Sequence, residues 1–231
     1  STGLGINVRE LETSMYDVIL HDAPMEDCLE GTAIRNLLVA PSALDLAGAP
    51  YTEELIKLNQ PDTRERLLKH SPTAKVPLLK TEHGTIADSL AIAEYLAEQF
   101  PDAGLWPKDT AARAQARSAC AQMHSGFFAM RNHMPFDLSH DAPLSPMPVD
   151  VQADIERMLA LWAECRAVAA ETGPFLFGGA TLADAFFAPI AVRLRTYRVK
   201  LPPEDETYIN TIYQWPAFKA WQKAGLEEVG Q

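Results

Sequence analysis

Two groups of residues in this sequence have types and spacing that could do chemistry. Arg117, His124 and Arg131 recur every seven residues, which on one continuous helix places them on a single stripe. Facing a cleft, such a stripe would bind a polar or anionic molecule; facing water, it is a solvated helix face. Asp88-Ser89 stands where an amphipathic segment begins. A helix start favours a carboxylate through its free N–H groups and the macrodipole, although the same pair also makes a plain N-cap with no ligand. Other chemistry is missing. The six histidines are scattered, and no Cys/His cluster has zinc spacing, so no metal is expected. There is no G-x-S-x-G, no Walker A loop and no G-x-G-x-x-G. The three cysteines, Cys28, Cys120 and Cys165, are odd in number and form no C-x-x-C. A disulfide framework is not expected, and a reducing, cytoplasmic setting is.

These residues sit in a chain of 231 with a formal charge of −11, 47% apolar and 22% charged. That is ordinary globular composition, long enough for a real core. No apolar run reaches the ~18–20 residues of a membrane span, and the first 20 residues carry no secretory signal. The acidic balance repels phosphate backbones and anionic lipid, so neither nucleic acid nor membrane is an expected partner.

The elements that must position the candidates alternate at first. Residues 16–21 (YDVILH) predict a buried strand, 33–47 a helix interrupted by Pro41, and 51–58 a second strand. Residues 62–70 predict a short charged helix, and Pro77-Leu78-Leu79-Lys80 a strand beginning at a proline. Glu82-His83-Gly84 turns the chain into a return strand, Thr85-Ile86-Ala87. Residues 89–100 then form an amphipathic helix with Ile92, Leu96 and Phe100 on one stripe. Pro101 to Asp109 breaks the pattern, and everything after it reads helical. Residues 110–134 predict one long helix whose apolar stripe is Ala116, Cys120, Met123, Phe127, Met130 and Met134. Ser125, Phe127, Phe128 and Met134 would line a cleft or belong to the core. Four prolines make 135–149 a loop. Residues 150–170 predict a helix through Ile155, Leu159, Trp162 and Val168 or its neighbours, stopped at Gly173-Pro174. Thr181-Leu182-Ala183-Asp184 is a capping box with Asp in the usual Glu position, and two shorter helices close the chain.

A small β-α-β-α-β-β-α unit, a Val76-Pro77 pair opening its third strand, Asp88-Ser89 opening its last helix, and a Thr-x-x-Asp cap in a helical second half resemble the cytosolic glutathione transferase superfamily. The carrying stretches are 71–107 and 178–190, and the resemblance spans about 15–225. The chain is most similar to bacterial serine-type, zeta-like members. The resemblance implies a thioredoxin-like α/β N-terminal domain over 15–101 and an all-α C-terminal domain over 110–231, paired as a homodimer. It implies glutathione as cosubstrate, with a cis Val76–Pro77 bond turning the Val76 backbone toward its cysteinyl part. Ser89 would take the γ-glutamyl carboxylate, Asp88 the ammonium and Lys75 the glycyl carboxylate. His70 is a weaker candidate. Arg117, His124, Phe128 and Arg131 would face the second substrate, a small electrophile.

One segment departs from the family. The Ser-Ser-Trp-Ser-like run and Arg-Pro expected at the first helix do not occur, and the segment before that helix is longer than usual. The group that stabilises the thiolate therefore falls on Asn36, Arg35 or Thr32. Cys28 stands among Glu26, Asp27 and Glu30, which would raise its pKa and blunt it. Three functions follow: a glutathione transferase or glutathione-dependent isomerase, a non-catalytic binding protein of the same fold, and a thiol–disulfide oxidoreductase using Cys28.

Overall fold

The computed structural model describes residues 45, 46, 48, 56, 61–71, 74, 76–81 and 84–229. The expected strand at 16–21, that at 51–58 apart from Ile56, and most of the helix at 33–47 lie outside them, as do Cys28, Thr32, Arg35, Asn36 and Lys75. The elements run α1 (Thr63–Leu68), β1 (Leu78–Thr81), β2 (Gly84–Ala87) and α2 (Ser89–Gln99). They continue with α3 (Thr110–Ser125), α4 (Phe128–His133), α5 (Val149–Ala167), α6 (Leu182–Thr196), α7 (Pro203–Gln214) and α8 (Pro216–Val229).

The strands form an antiparallel hairpin in which Leu78 faces Ala87 and Thr81 faces Gly84. The ladder stops below Leu78 because Pro77 has no N–H to donate. Helix α2 packs on this hairpin and buries Ile92, Ala93 and Leu96. The connection from Pro101 to Asp109 is packed: Leu105 and Trp106 are buried, and the Leu105 carbonyl accepts from Leu182 N–H at 2.9 Å. Asp109 caps α3 by accepting from Ala112 N–H at 2.8 Å.

The expected single helix over 110–134 is two. Gly126 is extended (φ −136°, ψ −166°) and Phe127 is left-handed (φ 62°). A Cβ at Gly126 would stand 2.8 Å from the Gln122 carbonyl oxygen, so the chain uses glycine where α3 ends. Residues from other segments satisfy the two ends this break creates. The Arg131 guanidinium donates to the Met123 carbonyl in the last turn of α3, where a cation meets the negative end of the dipole. The Asp154 carboxylate of α5 accepts from Met130 N–H in the first turn of α4 at 2.9 Å. All six expected stripe residues from Ala116 to Met134 are nevertheless buried.

In α5 the buried face is Val151, Ile155, Met158, Leu161, Trp162 and Cys165. Of the expected stripe Ile155 and Trp162 are buried, whereas Leu159 is only half-buried and Val168 is exposed. The helix stops at Ala167, before Gly173-Pro174. Helix α6 buries 13 of its 15 residues, the pattern of a helix surrounded by protein on every side. Trp162 of α5 meets the edges of Phe187 on α6 and Tyr208 on α7, with ring centroids 6.0 and 4.8 Å apart. Arg193, buried in α6, donates to the Met134 carbonyl at 2.8 Å and lies over the Phe136 ring, tying the loop after α4 to the core.

Candidate functional site

The register of the hairpin places the two sequence motifs together. Leu78 faces Ala87, so the next opposed positions are Pro77 and Asp88, at the open end of the ladder. The Val76–Pro77 peptide bond is cis, Pro77 is buried, and Val76 packs beside Leu67 and Ala74. The Val76 backbone stands beyond the last ladder pair.

Asp88 takes a left-handed backbone conformation (φ 79°, ψ 133°) between β2 and α2. This lies outside the left-handed helical well that Asp visits readily, so the backbone is strained here. Its Oδ1 accepts from Leu90 N–H at 2.8 Å and Ala91 N–H at 3.4 Å, satisfying two of the four free donors of the helix start. Ser89 is the first residue of α2 and half-buried. The Asp–Ser pair is therefore an N-cap in fact, with the Ser89 hydroxyl beside the positive end of the helix.

Across from this helix start stands His124, the next-to-last residue of α3. Its Nε2 lies 2.8 Å from Asp88 Oδ2, and its Nδ1 lies 3.4 Å from Ser89 Oγ. The ring is 16% exposed. His124 holds the Asp88 carboxyl below the usual carboxylate range, chiefly by this hydrogen bond; partial burial opposes the shift, and the charge of His124 and the Leu90 and Ala91 N–H groups reinforce it. The carboxylate is thus ionised at neutral pH.

The other members of the seven-residue stripe go elsewhere. Arg117 makes a two-pronged ion pair with Glu94 of α2, Nε to Oε1 at 2.9 Å and Nη2 to Oε2 at 2.5 Å, and lies 5.9 Å from the Trp106 ring centre. Arg131 is on α4, fully buried. The break at Gly126 removes it from the stripe, so it is neither a solvated face residue nor aligned with Arg117 and His124. Phe128 is 46% exposed, whereas Phe127 and Met134 belong to the core. Ser125 donates to the Ala121 carbonyl at 2.8 Å. Near the hairpin, Lys80 Nζ lies 2.7 Å from His70 Nδ1.

Sequence reasoning placed His124 toward a second substrate and missed that it reaches Asp88 and Ser89. Their separation of 35 and 36 positions leaves no local spacing signal. Thr181 and Asp184 do form the expected capping box, but Asp184 is also a buried hub. It accepts from Thr181 N–H at 2.8 Å, Leu176 N–H at 3.3 Å and the Tyr208 hydroxyl at 3.0 Å. Burial pushes its pKa up to about 6 against the pull of these donors. The thiols of Cys120 and Cys165 are free and buried. Burial raises both, Cys165 to about 12, so neither is a nucleophile at neutral pH. No group of three or more His, Cys, Asp or Glu that could hold a metal occurs among the described residues, and none of the described helices is long and apolar enough to cross a membrane.

Comparison with known proteins gives this arrangement a context. Residues 40–99 match the family described as glutathione S-transferase, N-terminal domain. A probable maleylacetoacetate isomerase of Caenorhabditis elegans is 37% identical over 90 residues, 39% of this chain and 42% of that protein. The match thus spans less than half the length of that relative. A maleylpyruvate isomerase of Ralstonia is 28% identical over 70% of this chain and 78% of its own. Among solved structures, a glutathione transferase homologue from Burkholderia with bound glutathione superposes with a TM-score of 0.61 at 22% identity, covering 83% of this chain and 91% of that one. The architecture is thus a thioredoxin-like N-terminal domain followed by an all-helical domain. Residues 40–99 thus match the glutathione S-transferase N-terminal domain, and the chain as a whole has the fold of solved glutathione transferases.

Proposed function

We propose that the protein binds glutathione across Val76–Pro77 and Asp88–Ser89 and activates its thiol for attack on a small electrophile. The observation that carries this reading is the open end of the hairpin, where the register sets Pro77 against Asp88 and the start of α2. A strand-like peptide lying along Val76 would bring its acidic end to the N–H groups and hydroxyl of Ser89, and its ammonium to the ionised Asp88. Lys75 would take the glycyl carboxylate, and Asn36 or Arg35, ahead of Thr32, would donate to the sulfur. A hydrogen bond from such a donor holds the thiolate at lower pH than in water. Phe128, with the exposed side of the α3–α4 region, would border the electrophile. The protein would work as a homodimer in the cytoplasm and need no metal.

A second reading follows from the isomerases among the relatives. A thiolate that adds to an activated double bond, allows rotation about the resulting single bond and then leaves changes the geometry without consuming glutathione.

Calorimetry with glutathione tests binding, and thiolate absorbance against pH tests activation. Conjugation of aryl halides and enones, set beside isomerisation of cis-enedione acids, separates the two reactions. A glutathione thiol that titrates in the complex as it does in water would mean a binding protein.

A further inference from the structure

We propose that His124 is a positioning residue for the γ-glutamyl end of the ligand, and that the protonation state of its ring sets the direction of the Ser89 hydroxyl. This rests on the glutathione reading given above. The two ring nitrogens face different partners. An ionised carboxylate only accepts, so Nε2, at 2.8 Å from Asp88 Oδ2, must carry a proton. That choice leaves Nδ1, the nitrogen beside Ser89 Oγ, with two possible states. In the neutral ring Nδ1 is an acceptor, and the Ser89 proton turns toward it. In the imidazolium Nδ1 is a donor, and Ser89 accepts from it, which frees the serine proton for a ligand carboxylate.

Asp88 is little changed by this switch. Its carboxylate offers about four acceptor positions, and Leu90 N–H, Ala91 N–H and His124 Nε2 use three in either state. One remains for the ligand ammonium. The amino-acid end of glutathione is zwitterionic, so its two charges largely cancel at the ring. The difference between the states therefore falls on the Ser89 proton. Of the other charges on the two helices, Glu94 of α2 and Arg117 of α3 neutralise each other, Arg113 donates to the Pro107 and Lys108 carbonyls, and Glu98 is exposed ten residues beyond Asp88. Among the described residues, Asp88 is the charged group in direct contact with the ring.

The ligand carboxylate thus favours the imidazolium, and binding takes up a proton. Affinity should be higher where the ring is protonated and lower where it is neutral. The experiment uses S-hexylglutathione, whose sulfur cannot ionise, with the full-length protein. Calorimetry at pH 5.5 and 8.5, in buffers of different ionisation enthalpy, reports both affinity and protons exchanged. The expected result is net proton uptake and about tenfold tighter binding at pH 5.5, the difference between a neutral and a charge-assisted hydrogen bond. His124→Gln keeps one N–H for Asp88 and one carbonyl for Ser89 but cannot take up a proton. It should bind at both pH values as the parent does at pH 8.5, with no proton uptake. A parent affinity that is flat with pH, or a pH dependence that survives in His124→Gln, would overturn this inference and leave the glutathione reading standing. No binding by the parent at either pH would overturn the glutathione reading, and the inference with it.

Discussion

Replacing Asp184 with Asn isolates the energetic effect of one buried charge. The carboxylate is fully buried and its pKa lies at about 6, against an ordinary value of 3.8. The folded protein therefore binds this proton more tightly than the unfolded chain. The stability it contributes is fully present below pH 3.8 and lost as pH rises through 6. A shift of about 2 units corresponds to about 3 kcal/mol, most of it between pH 4 and 7. Asp184→Asn has the shape of the protonated carboxyl and cannot ionise. Its cost has a different origin. The amide can point its oxygen at Thr181 N–H or at Leu176 N–H, but not both. The Tyr208 and Thr181 hydroxyls can turn to accept, whereas a backbone N–H cannot. One buried donor is left poorly satisfied, at about 1–3 kcal/mol. The variant should thus be clearly less stable than the parent near pH 4. The gap should then shrink by about 3 kcal/mol toward pH 7.5, closing or reversing. Urea unfolding of both proteins at half-unit steps of pH gives this difference directly, because all other titrating groups are shared. A difference constant with pH would refute the reasoning and place the Asp184 pKa in the ordinary range.

Other substitutions probe the site and the core. Ser89→Ala removes the hydroxyl that the proposed site sets against the ligand carboxylate and should weaken S-hexylglutathione binding by about 1.5–3 kcal/mol, measured by calorimetry; unchanged affinity would remove Ser89 from the site. Gly126→Ala forces a Cβ to within 2.8 Å of the Gln122 carbonyl and should cost about 1–3 kcal/mol in urea unfolding. A variant as stable as the parent would show that α3 can end there without glycine. Trp162→Ala leaves a cavity among α5, α6 and α7 and should cost about 3–5 kcal/mol, read as a lower unfolding midpoint. Glu94→Ala breaks an ion pair whose partners are 37% and 46% exposed, so it should change stability by only about 0.2–1 kcal/mol; a larger loss would mean the pair locks α2 to α3.

Local signals carried much of the fold. The Asp88 cap, the Thr181–Asp184 box and the proline before β1 each depend on interactions within a few residues, so their residue types were enough to locate them. The apolar stripe from Ala116 to Met134 was legible too, because helical period alone predicts which side is buried. Its continuity was not. One glycine can stay inside a helix at modest cost, and here α3 ends because Asp154 and Arg131, distant in sequence or across the break, satisfy the exposed backbone groups. The same break moved Arg131 from a surface stripe into the core, where the Met123 carbonyl receives its guanidinium. His124 shows the sharper limit. Its partners Asp88 and Ser89 are 36 and 35 positions away, and their meeting depends on how α2 packs against α3. Sequence determined the parts whose energies are local: caps, turns, and the period of the apolar residues. Only the tertiary structure decided which charged side chains met, because a pairing energy depends on distance and burial in the packed state, and neither exists until the helices have docked.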